Sequence, residues 1–266
     1  MTAFTNDFGI NLAIAEIEKT YGDRVDIFSK AKTLLKFGRN DDLSTASETL
    51  WTVGGNETYV TTNAIDSIVS SSAADTDSIV IEGHTVSGTG ADAQYTFSIQ
   101  TAVLNGQTRV ALATPLARVS RMAVVGTDAV AGNVVAYENS TLTAGVPNDV
   151  TKVHNEIDGA NGDTQSFKAA TTFSNTDYFI LTGLTVSVNR QQSRSVDYTL
   201  EGLSPGGVFR PLVRLSASST GSTTVVKDFY PYLIVPKNSD LRVVGVSSST
   251  ATVVNANFQG FLAQVV

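Results

Sequence analysis

The amino-acid sequence predicts a mainly β protein: antiparallel β-sandwich domains, the last of them jelly-roll-like, behind a short helical N-terminal arm. Three observations lead there. Beyond residue 50 the chain breaks into short runs of alternating apolar and polar residues, bounded by Gly, Asn, Asp and Pro. No helical spacing lies between those runs, which argues against a parallel sheet with crossover helices. Only the first 40 residues place their apolar side chains at helical intervals.

The arm comes first. In INLAIAEIEKTYG, Ile10, Ile14 and Ile17 fall at i, i+4 and i+7, and Gly22 supplies a stop. In DRVDIFSKAKTLLKFG, Val25, Phe28, Ala31 and Leu35 continue the pattern as far as Gly38. Each predicted helix has about three turns, too few to persist without a packing partner. The arm therefore caps the domain behind it or docks on another chain.

The predicted strands follow in order: SIVIEG, QYTFSIQTAV, TRVALA, ARVSRMAVV, GNVVAYE, DYFILTGLTVSV, SVDYTLEGL, GVFRPLVRLSA, STTVVKDFYPYLIV, DLRVVGVS and ATVVNANFQGFLAQVV. The polar stretch VPNDVTKVHNEIDGANG divides them, giving an arm over 1–50, a β-sandwich over 51–165 and a jelly-roll-like domain over 166–266. In the final run Val254, Ala256, Phe258 and Gly260 share one face, which makes Phe258 a core residue. Asn105-Gly106 predicts a type I′ turn and a hairpin over residues 93–113. Pro115 then puts the next strand near Ala117, at an edge or after a bend. From Ala117, strict alternation sends Arg118 and Arg121 to opposite faces.

Charge and composition narrow the function. Net charge is −7, and residues 41–165 hold four basic against fifteen acidic side chains. Such a block lacks the concentrated positive field that phosphate backbones require, so no nucleic-acid partner is expected. Cysteine is absent and histidine occurs only at His84 and His154, which leaves no disulfide framework and no ordinary zinc centre. We expect both histidines to be hydrogen-bonded surface or rim residues. The N-terminus has no secretory pattern, and no apolar run approaches a membrane span. The expectation is a soluble protein made in a cytoplasm, with no membrane partner and no cofactor.

Catalytic motifs are weak. Gly202-Leu203-Ser204-Pro205-Gly206 fits G-x-S-x-G by letter, but Pro205 has no N–H for an oxyanion and no histidine follows Ser204, so the segment reads as a turn. Asp75-Thr76-Asp77 with Glu82 lacks calcium-loop spacing, and its carboxylates are expected to be solvated or to accept local backbone donors. Trp51 is the only tryptophan, few aromatics for a sugar-cleaving groove.

Several segments, taken in order, carry a resemblance: Lys36-Phe37-Gly38-Arg39-Asn40; Leu50-Trp51 with Gly54-Gly55 and Tyr59; Ser70-Ser71-Ser72-Ala73 with Asp75-Thr76; and Val80, Ile81 and Gly83. Leu104-Asn105-Gly106-Gln107-Thr108, Arg118-Val119 with Arg121, Val235-Pro236-Lys237-Asn238-Ser239-Asp240-Leu241, and Phe258 with Gly260 continue it. The chain resembles a family of virion structural proteins of short-tailed bacteriophages. The resemblance implies a non-enzymatic particle component. The leading expectation is a capsid cement or decoration protein on the virion exterior, bound to the major capsid protein and trimeric at local three-fold positions. The alternative is a tail, adaptor or head-fibre protein touching host glycans, and after it a glycan-degrading enzyme. Lys36, Phe37, Arg39, Trp51, Arg118 and Arg121 are the expected partner contacts. The arginines are expected to meet carboxylates, within the chain or across a subunit boundary.

Overall fold

The computed structural model describes residues 8–26, 32–126, 129–189, 193–221 and 223–265. The protein is mainly β and antiparallel throughout, with one α-helix among the described residues. Helix α1 (Phe8–Tyr21) ends at Gly22, whose φ of +71° and N–H bond to the Glu18 carbonyl at 3.1 Å make the left-handed stop. Its buried face, Ala13 and Ile17, lies on Tyr178, Ile180 and Ala263 of its own chain, so the helix is a cap. The side chain of Ile10 lies outside the described residues.

The second predicted helix is not formed. Residues 25–26 and 32–43 are strands β1 (Val25–Asp26) and β2 (Lys32–Leu43), while Phe28 and Ala31 fall outside the described residues. The reason is tertiary: β2 pairs along its length with the C-terminal strand, Lys36 opposite Phe258 and Gly38 opposite Ala256. Burial at Lys36, Gly38 and Asn40 has period two, and a ladder of that length overrides a local helical spacing. Gly38 is required there, because a Cβ would stand 2.3 Å from both the Ala169 nitrogen and the Leu50 oxygen.

Next come β3 (Glu48–Thr49), β4 (Ile65–Ser70), β5 (Ser78–Ser87), β6 (Gln94–Val103), β7 (Val110–Leu116), β8 (Arg118–Val124) and β9 (Val134–Glu138). They are followed by β10 (Leu142–Thr143), β11 (Val146–Pro147), β12 (Val153–Ile157) and β13 (Ala170–Thr172). The last six are β14 (Asp177–Val188), β15 (Ser195–Leu203), β16 (Arg210–Ser218), β17 (Thr224–Val235), β18 (Asp240–Ser247) and β19 (Thr252–Val265).

Two sheets form the larger sandwich. One runs β2-β19-β14-β17, with β1 also on β19. The other runs β13-β18-β15-β16, with β3 also on β18. β3 and β13 are two halves of one strand. Thr49 faces Val244, the Leu50 N–H bonds Val243 O at 3.0 Å, the Val243 N–H bonds Ala169 O at 2.9 Å, and Ala170 faces Arg242. Counting that split strand as second of eight in chain order, the sheets read 1-8-3-6 and 2-7-4-5, the jelly-roll connectivity. The core holds Phe173 stacked on Phe179 at 4.9 Å and Phe258 edge-on to Phe179 at 6.1 Å, so Phe258 sits where its alternation placed it.

Residues 51–168 are inserted into that strand, and Trp51 bridges Lys168 at its neck. The division at 50 and 165 is corrected accordingly: residues 32–50 belong to the jelly roll. The insertion is a second antiparallel sandwich, β12-β9-β4-β7 over β6-β5-β8, around Ile65, Ile68, Ile79, Ile81, Val119 and Met122.

The predicted 93–113 hairpin is also corrected. β6 pairs β5 and β7 pairs β4, so the Asn105-Gly106 segment crosses between sheets. Gly106 has φ +54° and Asn105 is not left-handed, and a Cβ on Gly106 would press 2.6 Å from Ala73 O. The segment is held by Gly106 N–H to Asp75 O at 2.8 Å, a long-range bond that local turn chemistry does not foretell. Pro115 falls inside β7, one residue before its end, rather than between strands, while the strand expected near Ala117 is β8, which starts at Arg118 on the edge of its sheet.

Truncating Phe258 to Ala is expected to cost about 3–5 kcal/mol. Chemical denaturation followed by tyrosine and tryptophan fluorescence measures it.

Candidate functional site

The face between the two sandwiches is polar and buried. Arg118 of β8 meets Asp240 at the start of β18 through two bonds, Nε to Oδ1 and Nη2 to Oδ2, both 3.0 Å. The two side chains are only 6% and 2% exposed. The remaining guanidinium donors go to the Val60 and Ala117 carbonyls and the Tyr95 hydroxyl, and the plane lies 4.7 Å over Tyr59 and 5.2 Å over Tyr95. Thr172 donates to Asp240 from the other side. Burial opposes the charge on Arg118, but the Asp240 carboxylate outweighs it and holds the guanidinium protonated. Removing one partner from such a pair strands a charge in a dry site.

A second buried pair sits at the neck. Lys168 bonds Glu57, the Val119 carbonyl at 2.9 Å and the His154 carbonyl at 2.9 Å. Lys36 reaches the Ser120 carbonyl from β2. The Val119 and Ser120 carbonyls are free for these bonds because β8 bulges at Ser120: Val119 faces Gly83, whereas Arg121 already faces Glu82. The bulge puts both Val119 and Met122 in the core and turns Arg118 and Arg121 to the same side, contrary to strict alternation.

Between the sandwiches lies a cleft of about 750 Å³. One wall is the three-stranded sheet, where Phe97 stands opposite His84 and, in the next row, Glu82 stands opposite Arg121. The jelly roll supplies the other wall, with Lys36 and Phe37 from β2 and residues 171–177. Gln165, Ser166 and Phe167 line it as well. Phe37 meets Phe167 edge-on at 5.3 Å, and His84 meets Phe97 at 5.5 Å. Arg121 donates to Glu82 at 2.8 Å and twice to Gln165 Oε1, at 3.3 and 3.2 Å. His84 Nδ1 and Ser120 Oγ are buried with no hydrogen-bond partner among the described residues. Burial, then the charges of Arg118 and Lys36, pushes His84 down to about 3.

Lys36, Trp51 and Arg118 are buried, their polar atoms spent inside the chain, so their expected role as partner contacts is corrected. Phe37, Arg39 and Arg121 are at the surface, Arg39 paired with Asp41 at 2.7 Å. Both histidines are buried, contrary to expectation; His154 Nε2 lies 2.9 Å from Glu138. Asp75 accepts the Ala131 and Gly132 N–H groups at 2.8 and 3.0 Å, and Ser204–Gly207 is a turn after β15. The sequence reading gave Glu57, Tyr59, Tyr95, Lys168 and Asp240 no site role, since only the insertion topology brings them together.

No protein-family model matches the chain, and no curated protein matches it. Among solved structures it is weakly similar to infectious bursal disease virus, Gx strain, at 7% identity and TM-score 0.21, over 95% of this chain and 77% of that one. The infectious bursal disease virus VP2 subviral particle is similar at 9% identity and TM-score 0.22, over the same shares of each chain. At such scores the likeness carries no argument.

Arg118→Met is expected to destabilise by about 3–5 kcal/mol, and Arg118→Met with Asp240→Leu to recover most of it. Urea unfolding of both singles and the double measures the coupling. A pH series tests Lys36, which burial, then Lys168, pulls down to about 7 from 10.5. Between those values the unfolded chain binds more protons, so stability rises with pH, by at most about 1.4 kcal/mol per unit. Lys36→Met is expected to flatten that rise.

Proposed function

We propose that the protein is a structural subunit of a phage particle, a capsid cement or decoration protein that binds the major capsid protein and stabilises the head. The observation that carries this reading is where large apolar side chains remain exposed. Both edge strands of the larger jelly-roll sheet present them: Leu35 on β2, and Val226 and Tyr230 on β17, the last 69% exposed. Charge and proline blunt these edges in part, Lys32 on β2 and Lys227, Asp228 and Pro231 on β17, and the exposed apolar side chains beside them suit burial against neighbouring subunits. The jelly-roll base with a sandwich projecting from one split strand supports the same reading, as does the resemblance to virion proteins. The buried charged pairs are spent inside the chain, Arg118–Asp240 between the two sandwiches and Lys168–Glu57 within the neck of the insertion, which favours scaffolding over chemistry.

A trimer at local three-fold positions is the symmetry we propose. The second reading keeps the virion and moves the protein to the tail or a head fibre.

Cryo-electron microscopy of intact particles is expected to place the chain on the capsid exterior, in hundreds of copies; density at the tail alone, in a dozen copies or fewer, overturns the cement reading. Tyr230→Asp with Val226→Lys is expected to leave the fold intact, by circular dichroism, and to cut particle incorporation sharply.

A further inference from the structure

Among the described residues, the cleft is a large feature that a scaffolding role leaves unused. Its size falls within the range of small-molecule sites at domain boundaries, about 300–1,000 Å³. Two of its rings are open to solvent although they lie in a concave site: Phe97 is 51% and Phe37 38% exposed. Beside Phe97, in the next cross-strand row, stand Glu82 and Arg121. Arg121 uses one donor on Glu82 Oε1 and two on Gln165 Oε1. Two further guanidinium N–H groups, Glu82 Oε2 and the Gln165 amide N–H groups have no partner among the described residues.

We propose that this cleft binds a neutral saccharide, whose C–H face lies on Phe97 and Phe37 while its hydroxyls bond Arg121, Glu82 and Gln165. A pyranose is apolar on its ring faces and carries donors and acceptors around its rim, which is the pairing these walls present. Planar Arg, Glu and Gln groups offer adjacent donor and acceptor positions to neighbouring hydroxyls.

Charge decides against an anion. Arg121 and Glu82 neutralise each other, burial pulls Lys36 down to about 7 so that its charge is partial at neutral pH, and Lys32 and Asp177 bring one charge of each sign to the lining. His84 adds no charge at neutral pH, because burial first and then Arg118 and Lys36 hold it near 3. A purely apolar peptide segment fits less well, since covering Glu82, Gln165 and Arg121 without hydrogen bonds leaves buried polar groups unpaired. The assignment goes beyond the particle role and holds wherever on the virion the protein sits.

The full-length protein on an array of defined bacterial-surface and neutral oligosaccharides tests it. Binding to at least one neutral glycan is expected, weakened about tenfold or more by Phe97→Ala and by Arg121→Ala, with unfolding midpoints near wild type. Saturation-transfer NMR with the best array glycan is expected to show its C–H protons against aromatic side chains. Four results overturn the proposal: no neutral glycan bound, acidic or sulfated glycans alone bound, undiminished binding by Phe97→Ala, or Phe97→Ala stripping the protein from particles while glycan binding persists. The last would make the cleft a seam between proteins. Failure here leaves the capsid position, read by microscopy, untouched.

Discussion

The buried pair of Arg118 and Asp240 sets how the two sandwiches stand to one another. A neck of two antiparallel crossings at Trp51 and Lys168 would by itself behave as a hinge. The guanidinium converts it into a fixed joint by using its fork on one carboxylate, its other donors on two carbonyls and a phenol, and its faces on two tyrosine rings. Lysine has neither the second fork tooth nor a plane to stack, so only arginine fills this position fully. The cleft beside the joint follows from it, since its walls belong to different sandwiches and keep their separation only while the joint holds.

Seen from there, the lopsided charge of the insertion makes sense. Its few basic side chains are distributed singly: Arg109 to Asp66, Arg118 to Asp240, Arg121 to Glu82, Lys168 to Glu57, and Lys152 to the Asn139 carbonyl. Among the described residues none is left over to form a positive field, while Asp92 and Asp149 stay exposed. The arginines of residues 109–121 mark a place where one chain binds itself.

Much of the fold was legible because strands announce themselves by period two and by turn residues. The closing strand, with Phe258 inward, and the cap helix over 10–22 are cases where local pattern and tertiary need agree. Residues 23–38 show the limit: helical spacing there coexists with burial at Lys36, Gly38 and Asn40, and pairing with β19 decides the outcome. The Asn105-Gly106 turn and the facing of Arg118 and Arg121 misled for related reasons, the first through a bond to Asp75 and the second through a one-residue bulge. The joint was beyond reach of sequence alone, because Arg118 and Asp240 come from segments related only by the insertion. What a single sequence does not encode locally is which strand another chain segment will interrupt.

The split strand also has a consequence for how the molecule comes to be folded. Leu50 and Ala169 must meet, with the Ala169 N–H on the Leu50 carbonyl at 2.9 Å, before the second sheet is complete. For a disordered chain, closing a loop of that length costs about 4 kcal/mol of entropy. If the insertion collapses first, its neck already holds the two ends together and most of that cost disappears. The jelly roll, rich in distant pairings and therefore slow by topology, thus carries within one of its strands the clamp that shortens its own search. Order of assembly is written into the connectivity: the projecting sandwich is expected to lead, and the base to close behind it.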